Sequence, residues 1–128
     1  MSYYFARTLD VEFQAVVVRV REALQREGFG VITEIDVQNT LKTKIGVDFR
    51  PYLILGACNP RMAHEALKIE DKVGTMLPCN VVVQEIAPGR VEVAAIDPVA
   101  SMRAIDNPAL LETAKVVAEK LKAVVAAI

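Results

Sequence analysis

The segment 108–128 constrains the fold more than any other part of the chain. Pro108 opens a run in which apolar residues return at alternating spacings of three and four, which is the pattern of one face of an α-helix. The apolar row consists of Leu110, Ala114, Val117, Leu121, Val124 and Ile128. The opposite side carries Glu112, Lys115, Glu119 and Lys122, at spacings that pair opposite charges. A long amphipathic helix of this kind must cover another layer of structure.

Five segments have the apolar alternation or the β-branched content of strands. They are Tyr3–Arg7, Val31–Asp36, Tyr52–Cys58, Cys79–Ile86 and Val91–Ile96. Pro88-Gly89 between the last two predicts a hairpin. Tyr52–Cys58 is apolar on both faces, which indicates a strand with neighbours on either side.

Three further helices are predicted from periodicity and capping residues: Asp10–Glu27, Val37–Ile45 and Pro60–Asp71. The run Val16-Val17-Val18 favours a strand by propensity, but apolar spacing and the stop at Gly28 favour the helix. The resulting order predicts a single α+β domain over residues 1–128, with helices on one face of a largely antiparallel sheet.

Composition excludes several classes of protein. The 128 residues carry 15 basic and 16 acidic side chains, which leaves no basic surface for nucleic acid. The longest apolar run, Tyr52–Cys58, is far shorter than the roughly 20 residues of a membrane span. Neither a signal peptide nor a nucleotide-binding motif is found, so we predict a cytoplasmic protein with two reduced cysteines and no cofactor.

Cys58 and Cys79 are the main candidates for a reactive or ligand-binding site. Cys58 ends a strand immediately before Asn59-Pro60, an N-cap followed by proline at the first helical position. Amides at a helix start favour thiolate, although free cysteines are commonly just buried apolar side chains. If the strands that carry the two cysteines are antiparallel, both thiols lie at one end of the sheet. With His64, one turn into the helix, the two thiols form a candidate metal-binding set of Cys58, His64 and Cys79, although its spacing matches no standard zinc site.

A second group of polar residues precedes the strand Tyr52–Cys58. Asp48 and Arg50 alternate with the aromatic residues Phe49 and Tyr52. This segment either lines a pocket or forms a loop clasped onto the core.

Several blocks of the sequence resemble a known prokaryotic family. They are Glu34–Lys42, Gly46–Tyr52, Leu55–Pro60, Ala63–Leu67 and Leu77–Val83. They are similar to the domain of unknown function 302 over nearly the whole chain. The resemblance implies a fold like that of the TATA-binding protein, with a curved antiparallel sheet, and a homodimer; it implies no activity. The matching residues of interest are Asp48, Arg50, Cys58, Asn59, Pro60, His64, Pro78, Cys79 and Asn80.

Two functions follow from these observations. The first is a non-enzymatic module that binds a small molecule or a metal ion near Cys58 and forms a homodimer through an apolar surface on the last helix, at Leu111, Ala118 and Val125. The alternative is a thiol-dependent enzyme or redox protein, with Cys58 as nucleophile and Cys79 as resolving thiol.

Overall fold

The computed structural model describes residues 2–128, which form five strands and five α-helices. In chain order these are β1 (Tyr4–Leu9), α1 (Phe13–Arg26), β2 (Gly30–Asp36), α2 (Val37–Ile45), β3 (Tyr52–Cys58), α3 (Pro60–Ile69), a 3-10 helix (Asp71–Met76), β4 (Cys79–Ala87), β5 (Arg90–Ile96), α4 (Pro98–Ser101) and α5 (Pro108–Ala127). The predicted α+β class is confirmed. The 3-10 helix and α4 were not predicted.

The strands form one open sheet in the order β1-β5-β4-β3-β2, and every neighbouring pair is antiparallel. Four strands therefore lie in their order along the chain, and only β1 is displaced, to the outer side of β5. β3 has a neighbour on each side, as its apolar sequence predicted.

The hydrophobic core lies between one face of this sheet and the two longest helices, α1 and α5. Leu55 of β3, Val81 of β4 and Val93 of β5 are fully buried on that face. In α1, Val16 and Val17 are buried whereas Val18 is exposed. Because burial of an amphipathic face contributes more than intrinsic propensity, the valine run is helical despite its preference for strands.

The predicted subunit contact on the last helix is wrong. Ala118 and Val125 are only 7% and 6% exposed within a single chain. α5 contacts α1, α3 and α4 as well as β1 and β5, so its wide apolar surface is used inside the molecule. Leu111 remains exposed.

The side chains on the opposite face of the sheet are less buried than those on the core face. By alternation along the strands it presents side chains that are half-buried or exposed, namely Tyr4, Tyr52, Ile54, Val82, Ala94 and Ile96. We call this set the open sheet face. Beside it, α2 contacts β2 and β3, yet none of the residues Val37–Ile45 is buried.

Within residues 2–128, no helix has both the length and the apolar content needed to cross a membrane.

Candidate functional site

Gly56 allows the two Cys-containing segments to approach each other closely. A Cβ atom on Gly56 would lie 2.0 Å from Thr33 Oγ1 and 2.7 Å from Pro78 Cγ, where real Cβ contacts are essentially never shorter than 3.0 Å. The side chains of β2 and of the residue before β4 thus occupy the space above Gly56. This glycine has a structural role at the end of the sheet.

Asn59 caps α3, as its position before Pro60 predicted. Its Oδ1 accepts a hydrogen bond from the backbone N–H of Met62 at 3.3 Å. Its Nδ2 lies against the backbone of Gly28, 3.2 Å from where a Cβ would stand. The turn after α1 is therefore packed against the start of α3.

The antiparallel register brings the two cysteines together, as predicted. Ala57 of β3 is the cross-strand partner of Cys79, so Cys58, the next residue after that partner, lies at the same end of the sheet. Both thiols are free; Cys79 is buried and Cys58 is half-buried.

The environment of Cys79 limits its chemistry. Burial raises the pKa of the Cys79 thiol to about 11, and the nearby Cys58 thiol adds to the shift. Cys79 is therefore protonated at neutral pH, where an attacking or metal-binding sulfur would be a thiolate.

A cavity of about 230 Å³ opens beside the two cysteines. Its walls come from the end of β3, the start of β4, and helices α3, α4 and α5. Small side chains on three of these elements leave the space free: Ala57, Ala63, Ala66 and Ala114. Larger apolar residues complete the walls, among them Phe29, Met62, Leu77, Met102 and Leu110. None of the described residues that line the cavity is charged, and besides the thiols its polar side chains are Asn59 and Thr113.

Of the predicted site residues, the cavity gathers Cys58, Asn59 and Cys79. His64 is exposed on α3 and is not part of the wall. Among the described residues, no group of three or more His, Cys, Asp or Glu side chains is placed to hold a metal ion. The predicted metal set of Cys58, His64 and Cys79 is therefore not assembled. Asn80 is exposed and lies on the open sheet face.

Asp48 and Arg50 lie at the other end of β3. A seven-residue strand spans about 23 Å at about 3.3 Å per residue, which separates them from Cys58. Asp48 accepts from Lys42 Nζ at 2.8 Å in an exposed ion pair.

Arg50 is engaged by its own surroundings. Its guanidinium lies 4.4 Å from the ring centre of Phe49 and 5.7 Å from that of Tyr52. Its Nε donates to Gln84 Oε1 at 2.9 Å, and Gln84 Nε2 donates to Glu92 Oε1 at 3.2 Å. These contacts hold Arg50 against the open sheet face, on the side opposite the core onto which the loop was predicted to be clasped.

Sequence reasoning missed most of the cavity wall. Helical apolar spacing accounts for Met62 and Ala114, and Met102 lies in a segment without a pattern. None of the three could therefore be distinguished from a core residue. One local signal was present: Asp97-Pro98 repeats the N-cap and proline pattern of Asn59-Pro60, and Asp97 does cap α4 by accepting from the N–H of Val99 at 3.0 Å. That helix leads directly into Met102.

Comparison with known proteins shows that the chain is similar to one protein family. Residues 5–128 match the family described as "Domain of unknown function DUF302". The fold is similar to the crystal structure of an uncharacterized conserved DUF302 protein from Bacillus stearothermophilus, with 30% sequence identity, a TM-score of 0.91 and 98% of each chain covered. A search of curated proteins gives no match. On the family match and the structural likeness together, the chain belongs to the DUF302 family.

Proposed function

We propose that this protein is a non-enzymatic binding module that holds a small uncharged apolar molecule in the cavity beside Cys58 and Cys79. The observation that carries the proposal is the wall itself, whose described residues are mainly apolar and include no charged side chain. Such a wall offers a charged ligand no ion pair, whereas it offers an apolar ligand removal from water.

The size of the cavity fits this function. Apolar cavities of about 150 Å³ stay dry and bind benzene in a well-studied engineered protein. At about 230 Å³, this cavity has room for a ligand of one substituted ring. Residues from β3, α3 and α5 line it, so its shape depends on elements that the core already holds in place.

The wall is poorly equipped for catalysis. Among residues 2–128, none that lines it supplies a carboxylate, imidazole or amine for general acid–base work. With a pKa of about 11, Cys79 does not supply a thiolate at neutral pH, so a thiol-dependent mechanism gains no support from this residue.

Methionine methyl groups provide a direct test of binding. Met62 and Met102 line the cavity, and Met76 does not. We expect protein labelled with ¹³C at the methionine methyl groups to show saturable NMR shifts at Met62 and Met102 when toluene or methylcyclohexane is added, with Met76 unchanged. If neither hydrocarbon shifts Met62 or Met102 up to its solubility limit, the protein does not bind ligands in this way.

The proposal includes a homodimer formed through the open sheet face and α2. One chain has both a sheet face whose apolar side chains stay half-buried, such as Val82, and a helix with no buried residue, Val37–Ile45. A two-fold axis would let α2 of each copy cover the sheet of the other, so a single interface would bury both surfaces. Five strands give a face about 24 Å by 20 Å. With the surface of α2 added, the contact of each chain would approach the roughly 800 Å² of a standard interface.

Light scattering tests the dimer. A chain of 14.0 kDa should give twice that mass at micromolar concentration. Val82→Arg places a charge on the open sheet face and should give the monomer mass, while the matched control Val18→Arg, on the exposed side of α1, should leave the dimer intact. A monomeric wild type, or a dimeric Val82→Arg, would contradict this interface.

A cytoplasmic location is part of the proposal, because two neighbouring unpaired thiols suit a reducing compartment.

A further inference from the structure

Sulfur atoms are concentrated around the cavity. Residues 2–128 contain five sulfur-bearing side chains, and four of them line this one space: Cys58, Met62, Cys79 and Met102. The fifth, Met76, lies outside it. The four come from β3, α3, β4 and the residue after α4, so they approach the cavity from different sides.

Sulfur is highly polarizable and makes favourable contacts with aromatic rings, commonly at the ring edge and about 5 Å from the ring. Thioethers and protonated thiols are uncharged, so they contribute this attraction without requiring a charged partner. Burial keeps Cys79 in that neutral form. An aliphatic ligand of the same size gains only the ordinary removal of apolar surface from water.

Resting on the proposed function, we infer that the cavity selects planar, uncharged aromatic molecules over aliphatic molecules of the same size. The sulfur-lined wall supplies the selectivity, with Met62 and Met102 as the two flexible side chains that adjust to the ring. The charged groups of the protein lie outside the wall, so aromatic acids and amines are excluded.

Toluene and methylcyclohexane form a discriminating pair of probes, because they share a carbon skeleton. Methylcyclohexane has the larger apolar surface, so burial alone predicts that it binds at least as tightly as toluene. We expect the reverse order of affinity in methionine methyl titrations. Toluene should also move the methyl signals of Met62 and Met102 upfield through its ring current.

Methionine to leucine exchange tests the role of sulfur, since the two side chains have similar volumes. Met62→Leu and Met102→Leu should each weaken toluene binding by about 2- to 10-fold, the range given by the strength of sulfur–aromatic contacts, and leave methylcyclohexane binding nearly unchanged. Met76→Leu is the control and should change neither affinity. In the single variants the remaining labelled methionine of the wall reports binding.

These experiments distinguish a failure of the proposed binding function from a failure of the aromatic selectivity. If neither hydrocarbon binds, the proposed function itself fails. If both bind and methylcyclohexane is as tight as toluene or tighter, the cavity is a binding site without aromatic selectivity, and the inference is overturned. A preference for toluene that is undiminished in both single variants, Met62→Leu and Met102→Leu, also overturns it, because the methionine sulfurs would not be the cause.

Discussion

Gly56→Ala should destabilise the protein at the point where β2, β3 and β4 meet. The new Cβ would stand 2.7 Å from Pro78 Cγ, and ordinary contact begins at 3.4 Å, so a shift of 0.7 Å, the difference between the two, would restore ordinary contact. Thr33 Oγ1, at 2.0 Å, must also rotate away. Pro78 can move its Cγ only by a change of ring pucker or a shift of the backbone, because its ring is closed onto the backbone.

The expected size of the effect follows from two opposing contributions. Overpacking of a well-packed site costs about 1–3 kcal/mol. Replacing glycine by alanine within a strand stabilises the protein by about 0.5–1 kcal/mol, because the unfolded chain has less conformational freedom to lose on folding. Gly30, also in a strand and with nothing within 4 Å of its ideal Cβ, provides the matched control. Since the backbone contribution is common to both, Gly56→Ala should be less stable than Gly30→Ala by about 1–3 kcal/mol.

Urea denaturation followed by circular dichroism measures this difference, provided that the slope is the same in both variants. Thr33→Ala removes one of the two contacts, so adding it to Gly56→Ala should recover part of the loss in a double-mutant cycle. Equal free energies of unfolding for Gly56→Ala and Gly30→Ala would refute the close approach of Thr33 and Pro78 to Gly56.

Three other predictions concern the same end of the molecule. Asn59→Ala should lower the free energy of unfolding by about 1 kcal/mol through loss of the cap, whereas Asn39→Ala, in an exposed position of α2, should have little effect in the same urea assay. Cys79 has its pKa raised from 9.0 to about 11 in the native state. Between those values the unfolded chain loses a proton that the native protein keeps, so the stability should be complete below pH 9 and fall by about 1.4 kcal/mol per pH unit towards pH 11. Cys79→Ala should lack this part of the pH dependence; identical pH profiles would show that the thiol is not shifted. Ala114→Leu should fill the cavity at little or no cost in stability, while Ala23→Leu, fully packed in α1, should cost about 1–3 kcal/mol. Equal losses in thermal melts would argue against an empty space at Ala114.

Most of the fold could be predicted because its signals are local. Apolar periodicity identified α1 and α5, and Asn59-Pro60 marked the start of α3 correctly to the residue. α4 has the same kind of start at Asp97-Pro98, but its four residues make a single turn. One turn is too short to show periodicity, so the start signal had no run of apolar residues to support it.

The candidate site could be predicted only where strand register determines it. The position of Cys58 beside Cys79 follows once β3 and β4 are antiparallel. The rest of the wall depends on how closely α3, α4 and α5 approach one another, which no spacing along the chain specifies. Met102 and Ala114 are brought to Cys58 by that packing alone. The predicted subunit contact at Ala118 was wrong for the same reason: an apolar stripe shows that a helix is covered, but not by which element.

The displaced position of β1 has a consequence for how the chain folds. Tyr4 pairs with Ile96, 92 positions later (96 − 4), whereas β2, β3, β4 and β5 pair in the order in which they are made. At typical rates of synthesis of about 5–20 residues per second, β1 waits about 5–18 s for its partner strand to be made. During this time its aromatic and apolar residues have no strand to pair with. Because long-range pairing closes the largest loop of the sheet, β1 should join last, and hydrogen exchange should find its amides the least protected of the five strands.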